Sequence, residues 1–218
     1  NNDFDIKAFF DLNNNKYDSM LNSVSGAIKK AVAANKGMRI IRQQPWECTA
    51  SFICSSNSNI KRIQKNLNAI AQNYGKRITL DDYASYSFPA ASKIAKNPKL
   101  LLKCSLGYRA KYLAQTAKMM KGNFDFNSLS SSSYYDAKER LLQLSGVGPK
   151  VADCILLFSL GFSNAFPVDV WIARFMQQHY LDDMATPDKV AQFGRDKFGS
   201  CAGYVQQFIY HYVRNQRE

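Results

Sequence analysis

The chain has 218 residues, 46% of them hydrophobic, enough to bury one good core or one core with a small appended lobe, which excludes a solvated tail. Its 29 Lys and Arg against 17 Asp and Glu give a net charge of +12, the electrostatic footprint of a polyanionic partner. The 5 cysteines, Cys48, Cys54, Cys104, Cys154 and Cys201, form no CxxC pair and sit beside no His cluster, so a reduced, intracellular protein without structural zinc or an iron-sulfur cluster is expected.

The N-terminus carries Asp3, Asp5, Asp11 and Asp18 among many Asn, so no basic region leads into an apolar signal core. No apolar run approaches membrane-spanning length, and no membrane partner is expected. The absent initiator Met suggests a fragment or a processed product. Tyr17, Met20, Leu21, Val24, Ala27, Ile28, Ala31 and Val32 then recur at helical spacing, closed by Gly37. Pro45 suits the first position of a second helix through Ile53, and Ile60, Ile63, Leu67, Ile70 and Tyr74 stripe a third that ends at Gly75. Further helices are predicted over Pro98–Cys104, Arg109–Met120, Tyr134–Leu144, Pro149–Leu160, Val170–Tyr180, Asp188–Phe198 and Ala202–Arg214. The Ser- and Asn-rich stretch 123–133 reads as a connecting loop, and no segment reads as a strand. The expected fold class is all-α, with two helical lobes around a cleft.

The most informative stretch is the run LSGVGPKVADCILLF, residues 144–158, preceded by Leu141. It reads as helix, Gly-Val-Gly hairpin, helix: Gly146 and Gly148 let the backbone turn and approach a ligand closely. Pro149 opens the second helix, whose unpaired N–H groups and dipole point at the hairpin, where a phosphate can bind without side-chain charge. An ordinary tight turn between packed helices would use the same residues. Lys150 is harder to explain as packing, because a cation in the first turn of a helix opposes the dipole. Such a placement suits an amine that acts as a nucleophile, although a lone Lys also serves as a solvated or phosphate-binding side chain. In FPVDVWIARF, residues 166–175, Asp169 stands as N-cap; its ionised carboxylate can be a cap only, or can stabilise a cationic sugar as a glycosidic bond breaks.

Together these two runs resemble the 8-oxoguanine DNA glycosylases of the helix-hairpin-helix, endonuclease III superfamily. The resemblance extends to Ser51–Arg62, Leu106–Tyr112 and Ala202–Tyr210, and covers nearly the whole chain in order. It implies that residues 1–218 are one catalytic region, with the hairpin motif at about 134–160, acting in DNA base excision repair. It implies a bifunctional DNA glycosylase and AP lyase that removes 8-oxoguanine, preferably opposite cytosine. Lys150 would be the nucleophile at C1' and Asp169 its electrostatic and proton-handling partner.

By the same resemblance Asn57, Arg62 and Arg109 receive the cytosine left behind, with Tyr108 wedged into the stack and Gly146, Val147 and Gly148 on the DNA backbone. Guanidinium donors do match the O2 and N3 acceptors of an unpaired cytosine, and simple phosphate contacts are the plainer alternative. Gln206 meets the Watson–Crick edge of the lesion, Tyr210 stacks on one face and Cys154 lies against the other. Gln206 and Tyr210 are one helical turn apart, so they share a face. No cofactor is required, although main-chain carbonyls of Leu142, Leu144 and Val147 are candidates to hold a monovalent cation.

Two departures stand out: Trp171 occupies a position where the family usually has a phosphate-contacting His, and Tyr210 one where it usually has Phe. The family's N-terminal sheet domain precedes the region matched here, so the chain is expected to begin after it. The implied partner is double-stranded DNA containing 8-oxoguanine, met by a monomer located with genomic DNA. Two alternatives remain. A glycosylase for another damaged purine is the nearer, although superfamily members without Lys are monofunctional. A non-catalytic helix-hairpin-helix module would need the hairpin and the basic surface, but not Asp169, Gln206 or Lys150.

Overall fold

The computed structural model describes residues 5–12, 21, 24–122 and 124–216. In chain order the helices are α1 (Ile6–Phe9), α2 (Gly26–Ala34), α3 (Pro45–Ser55), α4 (Ile60–Tyr74), α5 (Ala91–Lys96), α6 (Arg109–Lys121), α7 (Phe126–Ser130), α8 (Tyr134–Leu142), α9 (Pro149–Phe158), α10 (Val170–His179), α11 (Pro187–Phe198) and α12 (Ala202–Asn215). Short 3-10 turns occupy Pro98–Cys104 and Gly199–Cys201. The fold is helical, as the spacing of apolar residues predicts, and its two lobes are two compact units, residues 1–43 with 152–218 and residues 44–151. Among the described residues no helix is long and apolar enough to cross a membrane.

In the unit 44–151, the buried positions of α4 are Asn66, Ile70 and Tyr74, one turn apart, which is the stripe an amphipathic helix lays on a core. The core is completed by Cys48, Ile53 and Cys54 of α3, Leu113 and Ala117 of α6, and Leu141 of α8. The stretch Pro98–Cys104 has its expected bounds but closes as a 3-10 helix, ended by Ser105 in the left-handed region at φ 55°. The expected loop 123–133 holds the short helix α7, because the Asp125 carboxylate accepts from the Asn127 and Ser128 amides and Leu129 is buried beneath it.

The expectation that no segment forms a strand also fails. Strands β1 (Arg77–Leu80) and β2 (Tyr83–Tyr86) form an antiparallel hairpin, with Leu80 opposite Tyr83 and Asp81-Asp82 as the turn. Asp81 has φ 50°, a conformation that Asp tolerates better than most residues. Every residue of both strands is exposed, so the alternation of buried and solvent positions that betrays a strand is missing.

The other unit has its core on Ile28 and Ala31 of α2, Ile172 and Met176 of α10, Val190 of α11, and Val205, Phe208 and Ile209 of α12, around the fully buried Phe166. A buried hydrogen bond from the Tyr204 hydroxyl to the Asp11 carboxylate ties the N-terminal segment to α12. Tyr17 and Met20, which open the first predicted stripe, lie outside the described residues.

Gly75 caps α4 in extended backbone rather than in the left-handed region. Space is what requires a glycine there: a Cβ would stand 2.0 Å from the Ser87 carbonyl oxygen and 2.6 Å from that of Ala71, where the hairpin returns to the helix end. Gly75→Ala is therefore expected to destabilise the chain by about 1–3 kcal/mol, the usual range for overpacking. Chemical denaturation at unchanged m-value would measure it; a midpoint equal to wild type would show that the hairpin gives way freely.

Candidate active site

The segment between α8 and α9 is seated on α6. Gly146 has φ 81°, and a Cβ on it would lie 2.7 Å from the Tyr112 Cβ, so both its conformation and its contact require glycine. The Thr116 hydroxyl donates to the Ser145 carbonyl at 2.8 Å, and the Ser145 hydroxyl donates to the Gln115 carboxamide oxygen at 2.6 Å. Val147 turns inward and is buried, its amide donating to the Leu144 carbonyl at 3.1 Å. Gly148 differs from Gly146: its φ is not positive, and a Cβ there meets nothing within 4 Å. Its lack of a side chain leaves the start of α9 uncovered, which is what an approaching anion needs at a helix N-terminus.

Next to this seat lies the polar group from α3 to the start of α4. Arg109 is only 3% exposed, and its Nε, Nη2 and Nη1 donate to the carbonyls of Ser56, Asn57 and Leu106 at 2.7, 2.7 and 3.2 Å. These bonds hold Asn57 at φ 48° with its side chain exposed, and Asn57 Nδ2 donates to the Tyr108 hydroxyl at 3.3 Å. Tyr108 is 51% exposed, meets the Tyr112 ring edge-on at 5.8 Å and is stacked by the Arg109 guanidinium at 4.6 Å. Asn57, Tyr108, Arg109 and Gly146 therefore belong to one continuous patch through Tyr112. Arg62 is exposed in the first turn of α4, where its amide donates to the N-cap Asn59. The two arginines that look equivalent in sequence thus differ: Arg109 is a clamp on the Asn57 turn, and Arg62 presents its guanidinium to solvent.

Lys150 follows Pro149 in the first turn of α9 and is half-buried. Its Nζ lies 5.4 Å from the centroid of the Phe52 ring on α3, within cation–π range, which partly offsets the unfavourable helix dipole. Other nucleophiles are poorer candidates: burial pushes the Cys54 thiol up to about 12, against the opposing Arg109 charge, and raises Cys104 and Cys201 as well. The first turns of α4, α6 and α9 carry cations and no acid, as Lys61 and Arg62, Arg109 and Lys111, and Lys150. That pattern costs helix stability and favours a bound polyanion.

In the other unit, Asp169 caps α10 as expected. Its Oδ1 accepts from the Trp171 amide at 3.0 Å and the Ile172 amide at 2.9 Å, and neither bond uses Oδ2. Trp171 is approached by the Arg174 guanidinium at 5.9 Å. Cys154 is buried within α9. Gln206 is buried on α12, with the partly exposed Tyr210 one turn on. Phe52, Thr116, Gln115 and Gln207 carry no signal in the sequence. Their contacts are with distant segments or with a neighbouring side chain, and neither leaves a local pattern.

The HhH-GPD superfamily of base excision DNA repair proteins matches residues 50–199. A probable N-glycosylase/DNA lyase of Methanothermobacter thermautotrophicus is 31% identical over 202 residues, covering 83% of this chain and 65% of that protein. The N-glycosylase/DNA lyase of Saccharomyces cerevisiae is 38% identical over 159 residues, covering 66% of this chain and 42% of that protein. The chain thus spans two thirds or less of these curated relatives. An 8-oxoguanine glycosylase/lyase of Clostridium acetobutylicum, solved with double-stranded DNA containing cytosine opposite 8-oxoG, superposes with a TM-score of 0.91 at 36% identity, over 97% of this chain and 74% of that one.

The contacts separate residues that hold this patch together from residues that are open to solvent. Arg109→Ala removes three bonds to backbone carbonyls and is expected to cost about 3 kcal/mol or more, whereas Arg62→Ala should stay within about 0.5 kcal/mol of wild type. Gly146→Ala should destabilise by about 1–3 kcal/mol and Gly148→Ala by much less. Thermal melting of the four variants tests this, and equal melting temperatures within either pair would contradict the assignment.

Proposed function

Since this chain belongs to the HhH-GPD superfamily of base excision DNA repair proteins, we propose that it is a bifunctional DNA glycosylase and AP lyase acting on 8-oxoguanine opposite cytosine. The observation that carries this reading is Lys150, a cation in the first turn of the helix that follows the Gly-Val-Gly hairpin, set against Phe52. Duplex DNA is the partner, and the enzyme works wherever genomic DNA is held.

The chemistry follows from the residues in turn. The hairpin and the uncovered start of α9 take a backbone phosphate, with Gly148 permitting close approach. The damaged nucleotide leaves the stack; Tyr108 fills the gap, and Asn57, Arg62 and Arg109 supply donors to the orphaned cytosine, Arg109 through the N–H groups left over from the three bonds that hold the turn. Lys150 gives its ammonium proton to solvent, and the free amine Nζ attacks C1'; the bond from C1' to N9 breaks, and its electron pair leaves with the base, which takes up a proton. Positive charge that develops on the sugar is balanced by the Asp169 carboxylate, whose Oδ1 is fixed by the α10 amides. The sugar ring then opens to a Schiff base on Lys150. Loss of a proton from C2' expels the 3' phosphate end by β-elimination. Gln206 pairs with the edge of the base, while Tyr210 and Cys154 take its two faces.

A monovalent cation fits the hairpin on the nature of its donors. Leu142, Leu144 and Val147 offer neutral carbonyl oxygens with no carboxylate among them, and the Leu144 carbonyl keeps a second lone pair beyond the one that accepts from Val147. Bound there, the ion would add positive charge beneath a phosphate.

Lys150→Gln is expected to abolish both base excision and borohydride trapping on an 8-oxoguanine:C duplex while duplex affinity stays nearly intact. Asp169→Asn should keep the cap and slow excision by roughly two orders of magnitude or more, because Asn caps almost as well and carries no charge. Single-turnover assays with trapping check both. Trapping that persists in Lys150→Gln would remove Lys150 from the mechanism, and a wild-type chain that binds duplex without excising or trapping would make it a binding module.

A further inference from the structure

On α12 the adjacent side chains of Gln206 and Gln207 are joined: Gln207 Nε2 donates to Gln206 Oε1 at 2.6 Å. Side chains one residue apart leave a helix roughly 100° apart and do not ordinarily face each other, so this bond requires Gln207 to fold back over its neighbour. Gln206 is 3% exposed, whereas Gln207 is half-buried. Among the described residues this is the single side-chain bond either amide makes.

A primary amide is a two-headed reader, with an oxygen that accepts and a nitrogen that donates, and a half-turn of its terminal torsion exchanges them. The Watson–Crick edge of a guanine-type base offers the O6 acceptor beside the N1–H donor. An adenine-type edge offers the N6 donor beside the N1 acceptor, the reverse order. The orientation of one amide therefore decides which edge it pairs with. We propose that Gln207 is a positioning residue that sets the orientation of the Gln206 amide, and so makes the pocket select guanine-type over adenine-type lesions. The proposal rests on the reading of Gln206 as the group that meets the base edge. With Gln207 donating to it, Gln206 Oε1 keeps a second lone pair for N1–H, and Nε2 is left to donate to O6.

Two substitutions at position 207 offer opposite chemistry. Gln207→Lys can only donate and preserves the orientation, whereas Gln207→Glu can only accept, draws Gln206 Nε2 toward itself and turns the amide over. The readout is a ratio on one duplex sequence: single-turnover excision of 8-oxoguanine divided by strand cleavage at a preformed abasic site, with thermal melting alongside. An abasic site has no base edge, so effects of charge on DNA binding or of altered folding enter both rates and divide out. Gln207→Lys should keep the wild-type ratio within about threefold. Gln207→Glu should lower it roughly ten- to a hundredfold, the effect of opposing donors and acceptors at a buried pair. In that variant, excision of 8-oxoadenine relative to 8-oxoguanine should rise. Equal ratios in the two variants, or a loss confined to Gln207→Lys, would overturn the positioning role alone. A wild-type chain that cleaves abasic sites but excises no 8-oxoguanine would overturn the reading of the pocket, and the positioning role with it.

Discussion

The seating of the Gly-Val-Gly hairpin on α6 is the constraint on which the proposed chemistry depends. Gly146 can take φ 81° and lie against Tyr112 because it has no Cβ, and the Thr116 and Ser145 hydroxyls then fix the turn from its polar side. A hairpin held this way delivers the first turn of α9 in one orientation, and Lys150 comes with it. The same ring of Tyr112 that receives Gly146 also meets Tyr108, so the hairpin and the Asn57 turn are built on one helix. A nucleophile must be placed to within a fraction of an ångström, and elements locked to each other achieve that better than free loops.

Charge is arranged against local stability in this unit. Cations stand at the starts of α4, α6 and α9, where the dipole disfavours them and where an Asp or Glu would be the stabilising choice. By contrast, Asp125, Asp169 and Thr186 cap α7, α10 and α11 with their side chains. On the proposed function, a phosphate backbone would supply the missing negative charge at α4, α6 and α9. Arg109 shows how one such cation is retained, with three bonds to carbonyls and a stacked tyrosine in place of an anion.

Most helices were legible in the sequence because each buries one stripe, as Asn66, Ile70 and Tyr74 do on α4, and because Pro45, Asp169 and Gly75 mark ends. The β1–β2 hairpin was not, since both faces are solvated and no period of two survives. Helix α7 hides in a Ser-rich stretch that composition alone marks as loop. Among the site residues, Lys150, Asp169 and Gly146 declare themselves locally, through a cation, a cap and a glycine in the wrong or the right place. The difference between Arg62 and Arg109 does not: it arises from carbonyls at Ser56 and Asn57, far from Arg109 in the chain. The same holds for Phe52 beside Lys150.

The proposed chemistry requires a covalent bond between Lys150 and C1' of the damaged nucleotide. It is tested most directly by reducing the reaction on an 8-oxoguanine:C duplex with borohydride, digesting the trapped complex with protease and locating the adduct by mass spectrometry. A single modified peptide carrying the deoxyribose remnant on Lys150 is expected. An adduct on any other lysine or on the N-terminal amine would contradict it.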